Sequence, residues 1–529
     1  MKTFLSLLSK QKNILLPVVF LSVFIAIVIM KAPLKQAFEY NPDEGGCVMG
    51  SLLHLRGFSL YNEIYSDQPP LFTVILSFWL KLFGLAIYHA RVLILIFSGI
   101  LLLAFYQTIK ILYGRLCAAI AVLFLLLSAA YLALSISVMI GIPALSFAML
   151  SVYFITLYKK VDLKRSLVLS GIFMALSLQT KLFTVFLVPI IILEIAQVKK
   201  RQNRLFHAIF LWFASFITAY LAVTIIFFRF NLPMLIKQLI QPHLASSAFN
   251  APKYGFLTMR WMFFQDYDII ILALIGILLL IRQKKWRFLL PVLWLVLASV
   301  LLCKHRPVWH HYYLLLSIPL CWLAAIGFTE LFRRNIRQNR KSLLAWITGI
   351  LLILIIIGLP FKYDRMSKSL RGQTTIGERS ALELISKYKK DARWIFTDRP
   401  IFAFYANILI PPELAIMSNK RRLTKNLNPD YLMDILEKYK PELVLLGRFQ
   451  DYDQKMMFFI EKNYLKAYYY KPQTGYAEPY PLPSYRGKVP FFRWLNYFLW
   501  RYKLTITQAA HYYNRPDMPL TLYILKNKI

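Results

Sequence analysis

The chain has 529 residues, 58% of them hydrophobic, and a formal net charge of +38. Its mean hydropathy of +0.53 is too apolar for a water-soluble protein of this length, so much of the chain must face lipid. The charge does not imply nucleic acid: the basic residues fall in short clusters between apolar runs ("KILYGR", "KKVDLKR", "KKRQNR", "RQKKWR" and "RRNIRQNRK"), the bias of short cytoplasmic loops, and no nucleic-acid motif accompanies them.

Taken in chain order, Lys2, Lys10 and Lys12 precede the first apolar run and place the amino terminus inside. No small-residue cleavage site follows that run, so it reads as an uncleaved helix. A helix needs roughly 20 apolar residues to cross the hydrocarbon core. The runs predict a polytopic α-helical membrane protein with about eleven transmembrane helices. They fall at 13–30, 89–109, 116–136, 143–158, 166–179, 182–197, 206–228, 268–281, 288–303, 312–330 and 342–360. "PPLFTVILSFWLKLFG" is apolar but short and contains Lys81. Counting it as a span would turn "KKRQNR" and "RRNIRQNRK" outward, so it reads as a helix lying in the outer interface. The external segments are then 31–88, 137–142, 180–181, 229–267, 304–311 and everything after 360.

Two domains are expected: 1–360 in the membrane, and 361–529 as a small extracytoplasmic α/β domain. In the latter, "DARWIFTD" and "PELVLLG" read as short buried strands, and "NPDYLMDILEKYK" as an amphipathic helix opened by Asn428 and Pro429. Beyond about 450 the sequence specifies no clear fold. Cys47, Cys117, Cys303 and Cys321 show no CxxC spacing, so neither a disulfide framework nor a zinc site is implied.

The unusual polar residues gather on the outer side. Asp43 and Glu44 precede Gly45 and Gly46, which would let the backbone turn sharply. A carboxylate near lipid and close to an acceptor hydroxyl can act as a general base; Asp43 reads equally as the N-cap of the helix that follows. Asp67 leads into Pro69 and Pro70 and fits the close of a turn before a proline-started helix. "CKHRPVWHHYYLLL" packs Lys304, His305, Arg306, His310 and His311 beside Tyr312 and Tyr313. Such a loop suits a phosphate held by charge-assisted hydrogen bonds, or an interfacial belt of aromatics and snorkelling cations. Arg91 and Lys181 lie at outer ends of spans, where charge near the membrane suggests function. Asp266 and Asp268 read as a cap before the eighth span rather than a metal pair.

The ordered set — an Asp-Glu pair after the first helix, an acidic-x-Pro-Pro-Leu element, Arg91, Lys181 with an apolar run ending in Pro189, and a late outer loop with Lys, His and Tyr — resembles the GT-C superfamily of membrane glycosyltransferases. The nearest branch contains the protein O-mannosyltransferases and the lipid A aminoarabinose transferase. The resemblance covers about 13–330, and the tail with "IFTDRP", "IPPELAIMS" and "LEKYKPELVLLG" is similar to the C-terminal domains of bacterial members. It implies an enzyme of the bacterial-type cytoplasmic (inner) membrane that moves a hexose or pentose from a polyprenyl-phosphate carrier to a glycolipid, glycan or protein at the outer face, with inversion. On that pattern Asp43 is the base and Glu44 supports the first loop, both in the catalytic pair. Asp67 is the acidic position before Pro-Pro. Arg91, Lys181, Lys304, His310, His311 and Tyr312 are candidates for holding the carrier phosphate. No cofactor is implied with certainty, and dependence on a divalent metal stays open. Two departures stand out: Gly141 in "MIGIPALSF", where many members have an acidic residue, and Gln68, where the aminoarabinose transferase has a Lys. A transporter or flippase of lipid-linked sugars, and a non-catalytic lipid-glycan-binding scaffold, are the competing readings.

Overall fold

The computed structural model describes residues 2–198, 205–227, 233–234, 236–240, 266–283, 289–305, 308–337, 349–350, 353, 362, 367, 370, 374–418, 421–422, 426–449, 452–471 and 519–528. The chain opens with α1 (Lys2–Lys31), followed by two short helices, α2 (Glu44–Leu55) and α3 (Leu71–Phe83). Then come α4 (Ile87–Tyr113), α5 (Arg115–Leu126), α6 (Ala129–Ile136), α7 (Gly141–Val161), α8 (Lys164–Leu178), α9 (Leu187–Ala196) and α10 (Leu205–Phe227). The last helices of the apolar region are α11 (Tyr267–Arg282), α12 (Leu290–Lys304) and α13 (Leu314–Arg337).

Among the described residues, four helices are long and apolar enough to cross a membrane: Ile87–Tyr113, Gly141–Val161, Leu205–Ile226 and His311–Arg333. The pair α5 and α6, bent by 70°, makes a fifth if it is one broken span. Leu16–Lys31, Leu182–Ala196 and Leu290–Lys304 are apolar but shorter, and the expected span at 342–360 lies largely outside the described residues. The 27 residues of α4 rise about 40 Å at 1.5 Å each, more than the hydrocarbon thickness. Phe206 (90% exposed) and Phe210 (70%) show that α10 turns apolar side chains outward, as a lipid-facing helix does. Inside, α11 and α13 touch backbone to backbone. A Cβ at Gly276 would lie 2.2 Å from the Leu323 carbonyl oxygen, and one at Gly327 2.3 Å from that of Leu272, the small-residue contact that lets membrane helices close on each other.

The segment "LFTVILSFWLKLF" is α3, with Phe72, Leu76, Ser77 and Leu80 buried and Phe78, Leu82 and Phe83 exposed. Its inner face is bonded to α2: the Ser77 hydroxyl donates to Ser51 O at 2.9 Å, and the Ser51 hydroxyl to Thr73 O at 3.3 Å.

The C-terminal region contains α14 (Ile376–Lys387), β1 (Ile395–Thr397), α15 (Pro400–Ala406), α16 (Pro429–Tyr439), β2 (Leu443–Leu446), α17 (Gln454–Asn463), β3 (Tyr464–Tyr470) and β4 (Leu520–Leu525). The strands form one sheet in the order β1-β2-β4-β3; β1 and β2 are parallel and the other neighbours antiparallel. Asn428 caps α16 by accepting from Tyr431 N at 2.7 Å, with Pro429 next, the pairing expected at a helix start. Successive strand residues face opposite ways. Phe396, Val444 and Tyr523 pack with Leu436 and Ile460 in a local core, whereas Ile395, Leu443, Leu445 and Leu522 join the apolar core that continues into the membrane helices.

That second face seats α15 on α2. Phe38 packs 4.7 Å from Phe402 and 5.1 Å from Tyr405, centroid to centroid, and the Tyr405 hydroxyl donates to Phe38 O at 2.9 Å. Gly45 and Gly46 do not make the sharp turn expected of them: they lie inside α2, and neither has a positive φ. Gly45 serves close approach instead, since a Cβ there would lie 2.6 Å from the Ile401 amide nitrogen.

Candidate active site

The site is built on the start of α2. Asn41 makes a short turn, its Oδ1 accepting from Asp43 N at 3.0 Å and its carbonyl from Glu44 N at 2.9 Å. The two carboxylates then diverge. Glu44 is fully buried. One oxygen accepts from Arg91 Nη2 at 2.9 Å and Tyr40 N at 2.8 Å, the other from Arg91 Nε at 3.3 Å and Val138 N at 2.8 Å. Arg91 is also fully buried, donates to Leu34 O at 2.8 Å, Ala37 O at 2.7 Å and Phe38 O at 3.4 Å, and lies 4.5 Å over the Tyr40 ring. This corrects two sequence expectations. Neither Glu44 as a catalytic group nor Arg91 as a phosphate ligand has a free face: together they fasten the first loop to α4 and to the 137–138 turn. Burial of a charge this deep is tolerated because every lone pair and donor finds a partner.

Asp43 occupies the N-cap position of α2, yet its side chain makes no cap hydrogen bond. The carboxylate is 45% exposed, and its Oδ1 accepts from Arg448 Nη2 at 3.3 Å. The capping role read from sequence is therefore held by position alone, and the carboxylate is left for other work.

Lys181 lies between α8 and the 3-10 turn Leu182–Phe186. Its ammonium sits 4.9 Å over the Tyr312 ring and 5.2 Å over Phe183. Phe183 meets His305 at 4.7 Å and Tyr312 at 4.6 Å, and His311 meets Tyr312 at 4.4 Å. A cation and four rings thus converge where the segment after α8 meets the segment before α13. Lys304 is exposed in the last turn of α12. The side chains of His310 and Arg306 lie outside them.

Asp67 is nearly buried and accepts from Gln68 Nε2 at 3.2 Å. The Gln68 carbonyl is held by the Tyr61 hydroxyl at 2.7 Å and the Ser66 hydroxyl at 3.0 Å. Leu71 N donates to Gln179 O at 3.1 Å, which ties the Pro-Pro element to the residues just before Lys181. Tyr312 is buried within the electrostatic reach of the Asp67 and Asp43 carboxylates. Burial raises the Cys47 thiol; Asp43, Glu44 and Asp67 add to the rise, and Lys181 opposes it. Asp43, Asp67 and Lys181 therefore act electrostatically on one small volume around Cys47 and Tyr312, and Cys47 there is an inert thiol.

Asp266 stands at the N-cap of α11 without capping it. It accepts from the Tyr313 hydroxyl at 2.8 Å and pairs with Lys362 at 3.3 Å, while Lys362 also reaches Asp268 at 2.7 Å. The pair is an ion-pair node rather than a helix cap. No group of three or more His, Cys, Asp or Glu side chains suited to a metal ion occurs among the described residues.

Sequence reasoning missed the contribution of the tail. β1 and β2 are parallel and end beside the site: Asp398 and Arg399 follow β1, and Gly447 and Arg448 follow β2. Arg399 pairs with Glu378 at 2.7 Å and Glu39 at 3.4 Å, bridging to the first loop. The available signal was the Asp-Arg and Gly-Arg placed at strand C-termini, where open α/β sheets present their functional groups.

The sequence model of the family described as dolichyl-phosphate-mannose-protein mannosyltransferase matches residues 67–228. No curated protein matches the chain in sequence. Among solved structures, ArnT from Cupriavidus metallidurans bound to undecaprenyl phosphate is 13% identical with a TM-score of 0.56, over 82% of this chain and 93% of that one. The apo state of the same protein gives 12% identity and a TM-score of 0.59, over 85% and 95%. AglB, an archaeal oligosaccharyltransferase from Archaeoglobus fulgidus in complex with an inhibitory peptide and a dolichol-phosphate, is 11% identical with a TM-score of 0.53, over 86% and 73%. At such identities these likenesses show a shared fold, and that fold is the GT-C fold of membrane glycosyltransferases.

Proposed function

We propose that this chain, which has the GT-C fold, transfers a sugar from a polyprenyl-phosphate donor to an acceptor at the outer face of the cytoplasmic membrane. The observation that carries the reading is the opposition of a half-exposed Asp43 to the Lys181–Phe183–His305–His311–Tyr312 cluster. The donor's lipid stays in the bilayer and presents its phosphate to Lys181, with Lys304, His310 and His311 as further candidates on the same loop. Asp43 takes the proton of the acceptor hydroxyl or amine as its lone pair attacks the anomeric carbon. The bond from that carbon to the phosphate oxygen breaks, its electron pair leaves with the polyprenyl phosphate, and the anomeric configuration inverts. Fixed cationic charge stabilises the phosphate as its negative charge grows. Asp67 is placed to contact sugar or acceptor across the pocket. The similar structures support a lipid-phosphate ligand, since one holds undecaprenyl phosphate and another dolichol-phosphate. The protein is then oriented with its amino terminus in the cytoplasm and residues 361–529 outside.

The test is transfer in proteoliposomes, with undecaprenyl-phosphate-linked hexoses and pentoses and a panel of glycolipid, glycan and peptide acceptors on the outer side. Asp43→Asn should abolish product while the protein stays folded. Transfer at the wild-type rate in that variant would defeat the base assignment. Movement of labelled carrier between leaflets without product would reassign the chain to transport.

A further inference from the structure

Arg448 lies 405 positions from Asp43 in sequence and bonds it at 3.3 Å in space. Its backbone is fixed with unusual thoroughness. The fully buried Asp398 carboxylate accepts from three consecutive amides, Gly447 at 2.9 Å, Arg448 at 2.7 Å and Phe449 at 2.7 Å, and from the Tyr452 hydroxyl at 2.9 Å. Gly447 packs closely, since a Cβ there would lie 2.6 Å from Leu520 Cδ2 and would push that side chain aside. A second guanidinium nitrogen of Arg448 donates to Met417 O at 3.4 Å, and the side chain is only 18% exposed. On the other partner, an Asp at an N-cap ordinarily folds its carboxylate back onto the second or third amide of its own helix. Asp43 does not.

From these two facts we infer that Arg448 is a positioning residue: it holds the Asp43 carboxylate off the end of α2 and toward the pocket, so that the C-terminal α/β region completes the site. The inference rests on the reading of Asp43 as the base. The sequence logic follows from it. "IFTDRP" supplies the carboxylate that shapes the loop, and "LVLLGRF" supplies the strand, the glycine and the arginine that the loop delivers. Without Arg448 the half-exposed Asp43 side chain would spread over other rotamers and leave the acceptor proton out of reach.

Two measurements test this. In the transfer assay with an undecaprenyl-phosphate-linked sugar, Arg448→Ala should lower kcat about 100-fold, the scale of a misplaced catalytic group, with the donor KM unchanged. Arg448→Lys should restore most of it, and Asp43→Asn/Arg448→Ala should be no worse than Asp43→Asn alone. The second measurement needs no substrate. Asp43→Ala should lower the melting temperature slightly in the wild-type background, where it removes the Arg448 contact, and leave it unchanged in the Arg448→Ala background, where that contact is already gone. Wild-type kcat in Arg448→Ala, a raised donor KM with kcat intact, or an identical effect of Asp43→Ala in both backgrounds would each overturn the inference. If Asp43→Asn is itself active, the base assignment falls first; if it is inactive and Arg448→Ala is normal, only the positioning role falls.

Discussion

The Glu44 carboxylate is sealed in a node with Arg91 and two backbone amides, whereas the Asp43 carboxylate, one residue earlier, is 45% exposed and held by a long bond to Arg448. The node lies where the first loop, α4 and the 137–138 turn meet; the exposed group bonds Arg448 and acts electrostatically on Cys47, as Lys181 does with the opposite sign. The difference arises from one helical step at the start of α2. Successive residues there point about 100° apart, so a buried Glu44 obliges Asp43 to point elsewhere. An acidic pair in such a place divides into an anchor and a reagent.

The largest way to break that comparison is to treat the anchor as if it were the reagent. Glu44→Gln leaves the Arg91 guanidinium buried without its counter-ion, and removal of one partner of a buried pair costs about 3–5 kcal/mol. Asp43→Asn, at a half-exposed position, should stay within about 0.5 kcal/mol of wild type. Thermal unfolding of both variants in detergent checks this directly: a large fall for Glu44→Gln beside an unchanged Asp43→Asn is expected. A Glu44→Gln protein that melts with the wild type would show that the node does not hold the loop.

On the opposite wall, Lys181→Ala removes the cation that sits over Phe183 and Tyr312. A hydrogen bond to a charged group contributes about 1.5–3 kcal/mol, so the donor KM should rise roughly 10- to 100-fold. The melting temperature should move little, because the ammonium belongs to the pocket and not to the core. A kcat loss with KM unchanged would place Lys181 in the chemistry and not in donor binding.

The helical fold class, the short helix over 71–83 and the buried strands of the tail could be read from hydropathy and turn residues, because each is a local or periodic property. The division of labour within the site could not. Nothing local separates Asp43 from Glu44, whose loop-supporting role came only through the family resemblance. Arg91 resembled a phosphate ligand because an intramembrane charge usually signals function; here its partners are Glu44 and the carbonyls at 34, 37 and 38, the carbonyls more than fifty residues away in the chain. His305 and Phe183 enter through ring contacts that no spacing rule encodes. Arg448 reaches the site only because a parallel strand pair aims its ends at α2. The glycines were legible as necessary and misread as to reason: a turn was expected where close packing is found.

That misreading gives the next test. Gly45→Ala drives a methyl into the Ile401 backbone, 2.6 Å away, and overpacking of this kind costs about 1–3 kcal/mol. The strain should be released by loosening α15 from α2. Limited proteolysis should therefore cut the C-terminal region faster in Gly45→Ala than in wild type, while cleavage in the loops between the membrane helices stays the same. Equal cleavage would mean that α15 shifts without detaching.

The smallest expected effect concerns Gly141, the first residue of α7, where relatives of the resembled branch often carry an acid. A Cβ at this position would meet nothing within 4 Å, and the residue has no positive φ, so neither space nor backbone requires glycine. Gly141→Asp would place a carboxylate at the positive end of α7, an arrangement that stabilises by about 0.3–1 kcal/mol. It would also stand three residues after Val138, whose amide already binds Glu44. If Asp43, Asp67 and the cationic cluster suffice, Gly141→Asp should melt slightly higher and transfer sugar at the wild-type rate. A large gain in rate would identify this carboxylate as the group that the wild-type site lacks, and would turn the pocket from a complete catalyst into a weakened one.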